Sequence, residues 1–151
     1  MPVEALIDTN VLVYSISSHP SEREKCDRAR ALVKAVDFGT SAQILGEFYV
    51  TATQKIAEPL SEREAIQFIA HLIRLPVIPI DSDLVLDAIA LKQKYRVSYR
   101  DGAIIAAAHR LGARTIYSED LSHNHLYGSV RVINPFGGSL VSKKLNRLAK
   151  G

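Results

Sequence analysis

Three stretches of this chain place acidic side chains where the surrounding residues are apolar, and acids in such positions can hold a cation. In "LIDTNVLVYS", Asp8 follows the apolar run Ala5-Leu6-Ile7, and Asp8, Thr9 and Asn10 interrupt a buried-looking segment without the Gly or Pro of an ordinary turn. In "SYRDGAIIAAAHRLG", Asp101 stands three, four and seven residues before Ile104, Ile105 and Ala108. At about 100° per residue it shares their apolar face, where a carboxylate is costly unless something compensates it. In "TIYSEDLSHNH", an apolar strand again ends in Ser118, Glu119 and Asp120. Carboxylates gathered into one cleft repel each other, so they take up protons or a cation neutralises them. Oxygen donors with no Cys or His at ligand spacing point to Mg²⁺ or Mn²⁺ rather than zinc. His123 and His125 lie in a polar loop and read as surface residues.

Each acid also has a plainer explanation. Asp8 or Thr9 would cap a helix beginning near Val11. Asp101 would complete a capping box with Ser98, helped by the helix dipole. Ser118 to Asp120 would form a solvated turn. Capping alone does not call for the small run Gly102-Ala103 and Ala106-Ala107-Ala108, which lets another backbone approach. Glu47 is different: Ile44, Leu45, Phe48, Tyr49, Ala52 and Ile56 define an apolar face, and Glu47 points away from its centre beside Gln43, Thr51 and Gln54. Periodicity places Glu47 on a solvated flank.

The elements that must position these acids follow from the same patterns. Val3 to Ile7, Pro76 to Ile80, Thr115 to Tyr117 and Val130 to Ile133 read as short strands. Helices are expected over Arg28 to Val36, from Ile44 to Ile56, after Ala65, over Asp81 to Tyr95, and over Arg100 to Leu111 with Gly112 as its stop. Two "SERE" stretches, from Ser21 and from Ser61, match the capping box and read as local capping rather than duplication. Strands alternating with helices imply an α/β fold, a mostly parallel sheet covered on both faces, with ligands at the carboxyl ends of its strands. Asp8 and Ser118 to Asp120 occupy such ends.

Composition sets the remaining bounds. With 151 residues, 47% hydrophobic and 23% charged, the chain suits one ordinary globular domain, and it has no repeat or linker. No apolar run approaches the length of about 20 residues that a membrane helix needs. Met1-Pro2-Val3-Glu4 lacks the basic and apolar regions of a secretion signal. Cys26 is the sole cysteine, which excludes an internal disulfide and fits a reducing cytoplasm. The net charge of +3 permits a polyanionic partner without demanding one. Part of it comes from Lys143, Lys144, Arg147 and Lys150, in a basic tail over 136–151 that reads as partly flexible, after a domain over 1–135.

"LIDTNVLVYS", "YRDGAIIAAA" and "IYSEDL", in this order, resemble the PIN-domain nucleases, and within them the VapC-type toxins of toxin–antitoxin pairs. The resemblance spans Val3 to Asn134. It implies a three-layer α/β/α fold with a short, mostly parallel central sheet, homodimerisation, and a cognate antitoxin that occludes the cleft. It implies metal ligation by Asp8, Asp101 and Asp120, with Glu47 as the acid that orients or deprotonates water, and Asn10 and Ser118 in support. Whether Glu119 or Asp120 faces the cleft stays open, as does one ion against two. The activity implied is Mg²⁺-dependent hydrolysis of RNA, leaving a 5′-phosphate and a 3′-hydroxyl. Lys92, Arg96 and Arg100, flanking the helix that bears Asp101, are candidates for phosphate contact. A dehalogenase-like phosphotransferase would want an acid where Asn10 stands, and a dinucleotide-binding fold would want a Gly-rich loop that the eight glycines do not form. The remaining alternative is a non-catalytic or housekeeping RNA-binding or RNA-processing module of the same fold.

Overall fold

The structure, a computed structural model, describes residues 2–137. The basic side chains expected in the tail, Lys143 to Lys150, lie outside that range.

Six strands form one sheet: β1 (Ala5–Ile7), β2 (Phe38–Ser41), β3 (Val77–Ile78), β4 (Thr115–Tyr117), β5 (Leu126–Tyr127) and β6 (Val130–Ile133). Their order is β3-β2-β1-β4-β6-β5, and every neighbouring pair is parallel except the β5–β6 hairpin. Six α-helices complete the fold: α1 (Thr9–Ser15), α2 (Arg23–Ala35), α3 (Ala42–Val50), α4 (Glu62–Leu72), α5 (Ser82–Tyr95) and α6 (Tyr99–Arg110). This is the α/β/α arrangement expected for short parallel strands, which need cover on both faces. The core joins β1, β4 and β6 to the inner faces of α1, α2, α3 and α6 through residues such as Leu6, Ile7, Leu12, Leu32, Phe48, Ile104, Ile105 and Ile116. No helix among the described residues is long and apolar enough to cross a membrane.

From β1 the chain first builds outward through β2 and β3, then returns to the other side of β1 with β4. The strand order therefore reverses between β1 and β4, and a crevice opens beyond the carboxyl ends of these two strands. Asp8 and Ser118 are the residues immediately past those ends. The sheet hydrogen bonds continue through both, with Asp8 N–H donating to Tyr117 O (2.9 Å) and Ser118 N–H to Ile133 O (3.1 Å). Both residues are thus fixed by the sheet and not by a loop.

The helix expected from Ile44 to Ile56 leaves α geometry after Val50 and ends in a π-helical turn, Thr51–Lys55, and β5 has no counterpart in the sequence reading. Two further departures have a clear physical cause. β2 is built from Phe-Gly-Thr-Ser, whose pattern has one apolar side chain, yet all four residues are buried. Its value is closeness: a Cβ on Gly39 would stand 2.6 Å from a Leu111 methyl and 3.0 Å from the Pro76 carbonyl oxygen. The second departure concerns the two "SERE" stretches. Ser61 and Glu64 form a full capping box on α4. Ser21 instead falls inside a 3₁₀ turn, Pro20–Glu22, capped by His19, and α2 begins at Arg23 without a side-chain cap. Pro20 explains the difference, since its fixed φ starts a turn one residue before Ser21 could act as cap.

Candidate active site

Asp8 is fully buried and serves two purposes at once. Its Oδ1 accepts the Thr9 N–H (2.8 Å), the first amide of α1, so Asp8 does stand at the cap of that helix. The same carboxylate also receives a two-pronged ion pair from Arg100, Nη2 to Oδ1 at 2.6 Å and Nη1 to Oδ2 at 3.1 Å, and the Ser118 hydroxyl donates to Oδ2 at 2.8 Å.

Arg100 lies at the centre of the arrangement. Besides Asp8, its Nε donates to Glu47 Oε2 (3.1 Å), its Nη2 stands 3.0 Å from the same oxygen, and its Nη1 donates to Asp101 Oδ1 (3.3 Å). Burial disfavours the charged guanidinium, but the pairs with Asp8 and then Glu47 outweigh that cost and hold Arg100 protonated far above its ordinary range. One guanidinium faces three carboxylates, which leaves two negative charges unbalanced before Asp120 is counted.

Glu47 belongs to the flank of α3 that periodicity assigned to solvent, and its side chain is indeed about one-third exposed (31%). The cleft runs along that flank. Gln43, one turn earlier, donates its amide N–H to Glu47 Oε1 (3.0 Å) and steadies the carboxylate. The Ser41 hydroxyl caps α3, so the buried end of β2 sets where this helix starts.

Asp101 sits in the first turn of α6. The Ser98 hydroxyl accepts the Asp101 N–H (3.0 Å), which is one half of a capping box, while the Asp101 carboxylate engages Arg100. Gly102 beside it permits the close helix pairing read from the sequence: a Cβ there would lie 2.4 Å from the Ala88 carbonyl oxygen of α5.

The fourth corner is held by a small network. Asn10 donates to Asp120 Oδ2 (3.0 Å) and accepts the Glu119 N–H (3.2 Å). The buried Ser118 hydroxyl oxygen accepts the N–H groups of Asp120 (3.2 Å) and Leu121 (3.3 Å). Glu119 turns outward to Lys25 (3.0 Å) and the Tyr14 hydroxyl (3.4 Å), so of the two neighbouring acids Asp120 is the one on the cleft. That cleft has a volume of about 360 Å³, and Asn10, Tyr14, Glu47, Thr51, Arg100 and Asp120 are among its lining residues.

Of the residues singled out in the sequence, Asp8, Glu47 and Asp101 meet around one cation, and Asn10, Ser118 and Asp120 stand beside them. Lys92 and Arg96 are exposed and do not line the cleft. Arg96 takes a left-handed conformation (φ 56°) at the end of α5. His123 and His125 take no part in the cleft: His123 Nδ1 accepts the Asn134 N–H (2.9 Å), and His125 stacks on Tyr127 with ring centroids 4.3 Å apart. The central position of Arg100 was missed in the sequence, although one signal existed. A cation in the first turn of a helix opposes the helix dipole, so nearby acids had to account for it.

The donor set suits a hard divalent cation: it is all oxygen, net negative, and already closed around one cation, the guanidinium. Among the described residues no three His, Cys, Asp or Glu side chains are set for metal ligation. Arg100 stands between the carboxylates that would have to converge.

A sequence model of the PIN domain matches residues 5–128. No curated protein matches the chain. Among solved structures, a toxin–antitoxin complex from Klebsiella pneumoniae superposes with a TM-score of 0.66 at 20% identity, covering 88% of this chain and 98% of the other. VapC20 of Mycobacterium tuberculosis, described as a toxin that cleaves the sarcin–ricin loop, gives 0.62 at 17% identity over 78% of this chain and 90% of that one. A DNA-bound VapBC complex from Salmonella typhimurium gives 0.57 at 18% identity over 86% and 97%.

Proposed function

This chain belongs to the PIN-domain family, and on that premise we propose that it is a metal-dependent ribonuclease, the toxin of a toxin–antitoxin pair. The observation that carries this reading is the pairing of one guanidinium, Arg100, with Asp8, Glu47 and Asp101 beside a cleft that Glu47, Arg100 and Asp120 line, where the strand order reverses. The similarity of the fold to toxin–antitoxin structures supports the toxin assignment.

In this reading Asp8, Asp101 and Asp120 hold Mg²⁺, with Mn²⁺ as a substitute. Bound there, the ion would polarise the scissile phosphate and lower the pKa of a water. Glu47, steadied by Gln43, is placed to orient the attacking water and take its proton for in-line attack on the phosphorus. The P–O3′ bond breaks and the 3′-oxygen takes a proton from solvent, leaving a 3′-hydroxyl and a 5′-phosphate. Ser118 and Asn10 fix the carboxylates of Asp8 and Asp120 respectively. Lys92 and Arg96 lie outside the cleft and serve the flanking RNA backbone. An antitoxin segment covers the cleft, the toxin acts as a homodimer, and the site of action is the cytoplasm.

Replacing Asp8 with Asn keeps the shape and the α1 cap but removes one ligand charge. Cleavage of RNA in Mg²⁺ is expected to fall by more than the roughly 10–100-fold that loss of a supporting partner causes. On induced expression, growth arrest with discrete RNA cuts should disappear in the same variant. Cleavage at the wild-type rate in Asp8→Asn would refute the mechanism. The second reading, a non-catalytic RNA-binding module, draws on Arg100 filling the centre of the acids; it predicts RNA binding without cleavage in either metal.

A further inference from the structure

Arg100 supplies a cation at the place where the proposed chemistry needs a different one. We propose that Arg100 is the internal competitor of the divalent ion: its guanidinium holds the carboxylates together until a metal displaces it. This rests on the metal-nuclease reading and adds a residue whose effect on metal loading is opposite in sign to that of the acids.

Four observations support it. The guanidinium engages both oxygens of Asp8 and one oxygen each of Glu47 and Asp101, at 2.6 to 3.3 Å. Asp8 and Asp101 are two of the three proposed ligands, so the guanidinium and the ion draw on the same carboxylates. Secondly, Arg100 Nη1 donates to both Asp8 Oδ2 (3.1 Å) and Asp101 Oδ1 (3.3 Å), so an ion bridging these two acids takes the place of that nitrogen. Thirdly, the Arg100 side chain is 30% exposed and lines the cleft, whereas Asp8 is fully buried. The arginine can therefore swing outward by side-chain rotation, while the acid is fixed between β1 and α1. Finally, Arg100 stands in the first turn of α6, where the helix dipole opposes a positive charge. Helix stability does not account for a cation there, but the carboxylates do.

The physical role is that of a placeholder. Carboxylates packed this close repel each other, and a positive group among them holds them together. A guanidinium does this by hydrogen bonds in a plane, which a second cation can replace. Because both cations compete for the same oxygens, removing Arg100 must strengthen metal binding, whereas removing an acid must weaken it.

The test is calorimetric titration of Mg²⁺ and of Mn²⁺ into the wild type and Arg100→Gln, with thermal unfolding at saturating metal as a check of folding. Arg100→Gln is expected to bind either ion about tenfold more tightly, within the usual range of coupling between sites. Its thermal stability should fall below wild type without metal and recover with it. Unchanged or weaker metal affinity in Arg100→Gln overturns the competition while leaving the nuclease reading standing. Absence of metal binding in both proteins overturns both readings. Should Arg100→Gln fail to fold, the wild type decides. In arginine-labelled ¹⁵N spectra, one Nε–H signal protected from solvent exchange should lose its protection as Mg²⁺ saturates. A signal that stays protected at saturating metal overturns the proposal.

Discussion

Two uncharged residues orient the acids of the cleft without being acids themselves. Ser118 and Asn10 do not carry charge, yet they fix where two of the carboxylates point, Ser118 by donating to Asp8 and Asn10 by donating to Asp120. Asn10→Ala is therefore expected to lower RNA cleavage roughly 10–100-fold, as loss of a supporting partner does at metal sites, with little change in Tm. A rate equal to wild type would mean that Asp120 needs no orientation. At this scale the sequence was legible where polarity broke a local pattern: an acid after three apolar residues marks Asp8, and an acid on an apolar helix face marks Asp101. Glu47 broke no pattern, because a cleft beside a helix flank looks the same as solvent to periodicity; only the family resemblance singled it out. The pairing of Arg100 with Asp8 spans 92 positions and depends on how α6 docks against β1, which no local rule conveys.

Among the elements, the two identical "SERE" stretches separate local propensity from context. Ser61→Ala should destabilise the protein by about 1 kcal/mol, the usual value of a helix cap, whereas Ser21→Ala should leave Tm unchanged because Ser21 caps no α-helix. Equal effects would contradict this assignment of caps. In the realised box, the Ser61 backbone N–H, and then its hydroxyl, hold the Glu64 carboxyl below its ordinary range. A lowered folded-state pKa contributes stability above the unfolded value, and that stability is lost as pH falls through the folded value. Glu64→Gln should accordingly lower Tm at neutral pH and match wild type in strong acid. The α5–α6 pair gives a steric counterpart. Gly102→Ala places a methyl group 2.4 Å from the Ala88 carbonyl oxygen, backbone that cannot move aside as a side chain would. A loss of roughly 1–3 kcal/mol is expected by thermal or denaturant unfolding. Helices and apolar strands were readable from periodicity. β2 was not, because its burial comes from a glycine and two hydroxyl residues filling a narrow space, and β5 has two residues, too few for a pattern.

For the whole molecule, the site is an excess of negative charge installed in a protein whose net charge is positive, +3. Three carboxylates against one guanidinium repel, and that repulsion is present only when the chain is folded. A divalent ion that binds the folded state alone therefore stabilises it by an amount set by its concentration relative to Kd, about 2.7 kcal/mol at a hundredfold excess. For a domain of this size each kcal/mol corresponds to about 2–4 °C, so Mg²⁺ or Mn²⁺ should raise Tm by roughly 5–11 °C. A chelator should reverse the rise. Asp120→Asn removes a proposed ligand that Arg100 does not engage, so it should shrink the shift without the loss of metal-free stability expected when Arg100 is replaced. Scanning wild type and Asp120→Asn with and without metal separates the two contributions. An identical metal-induced shift in both would exclude Asp120 from the cation site and leave Asp8 and Asp101 as its ligands.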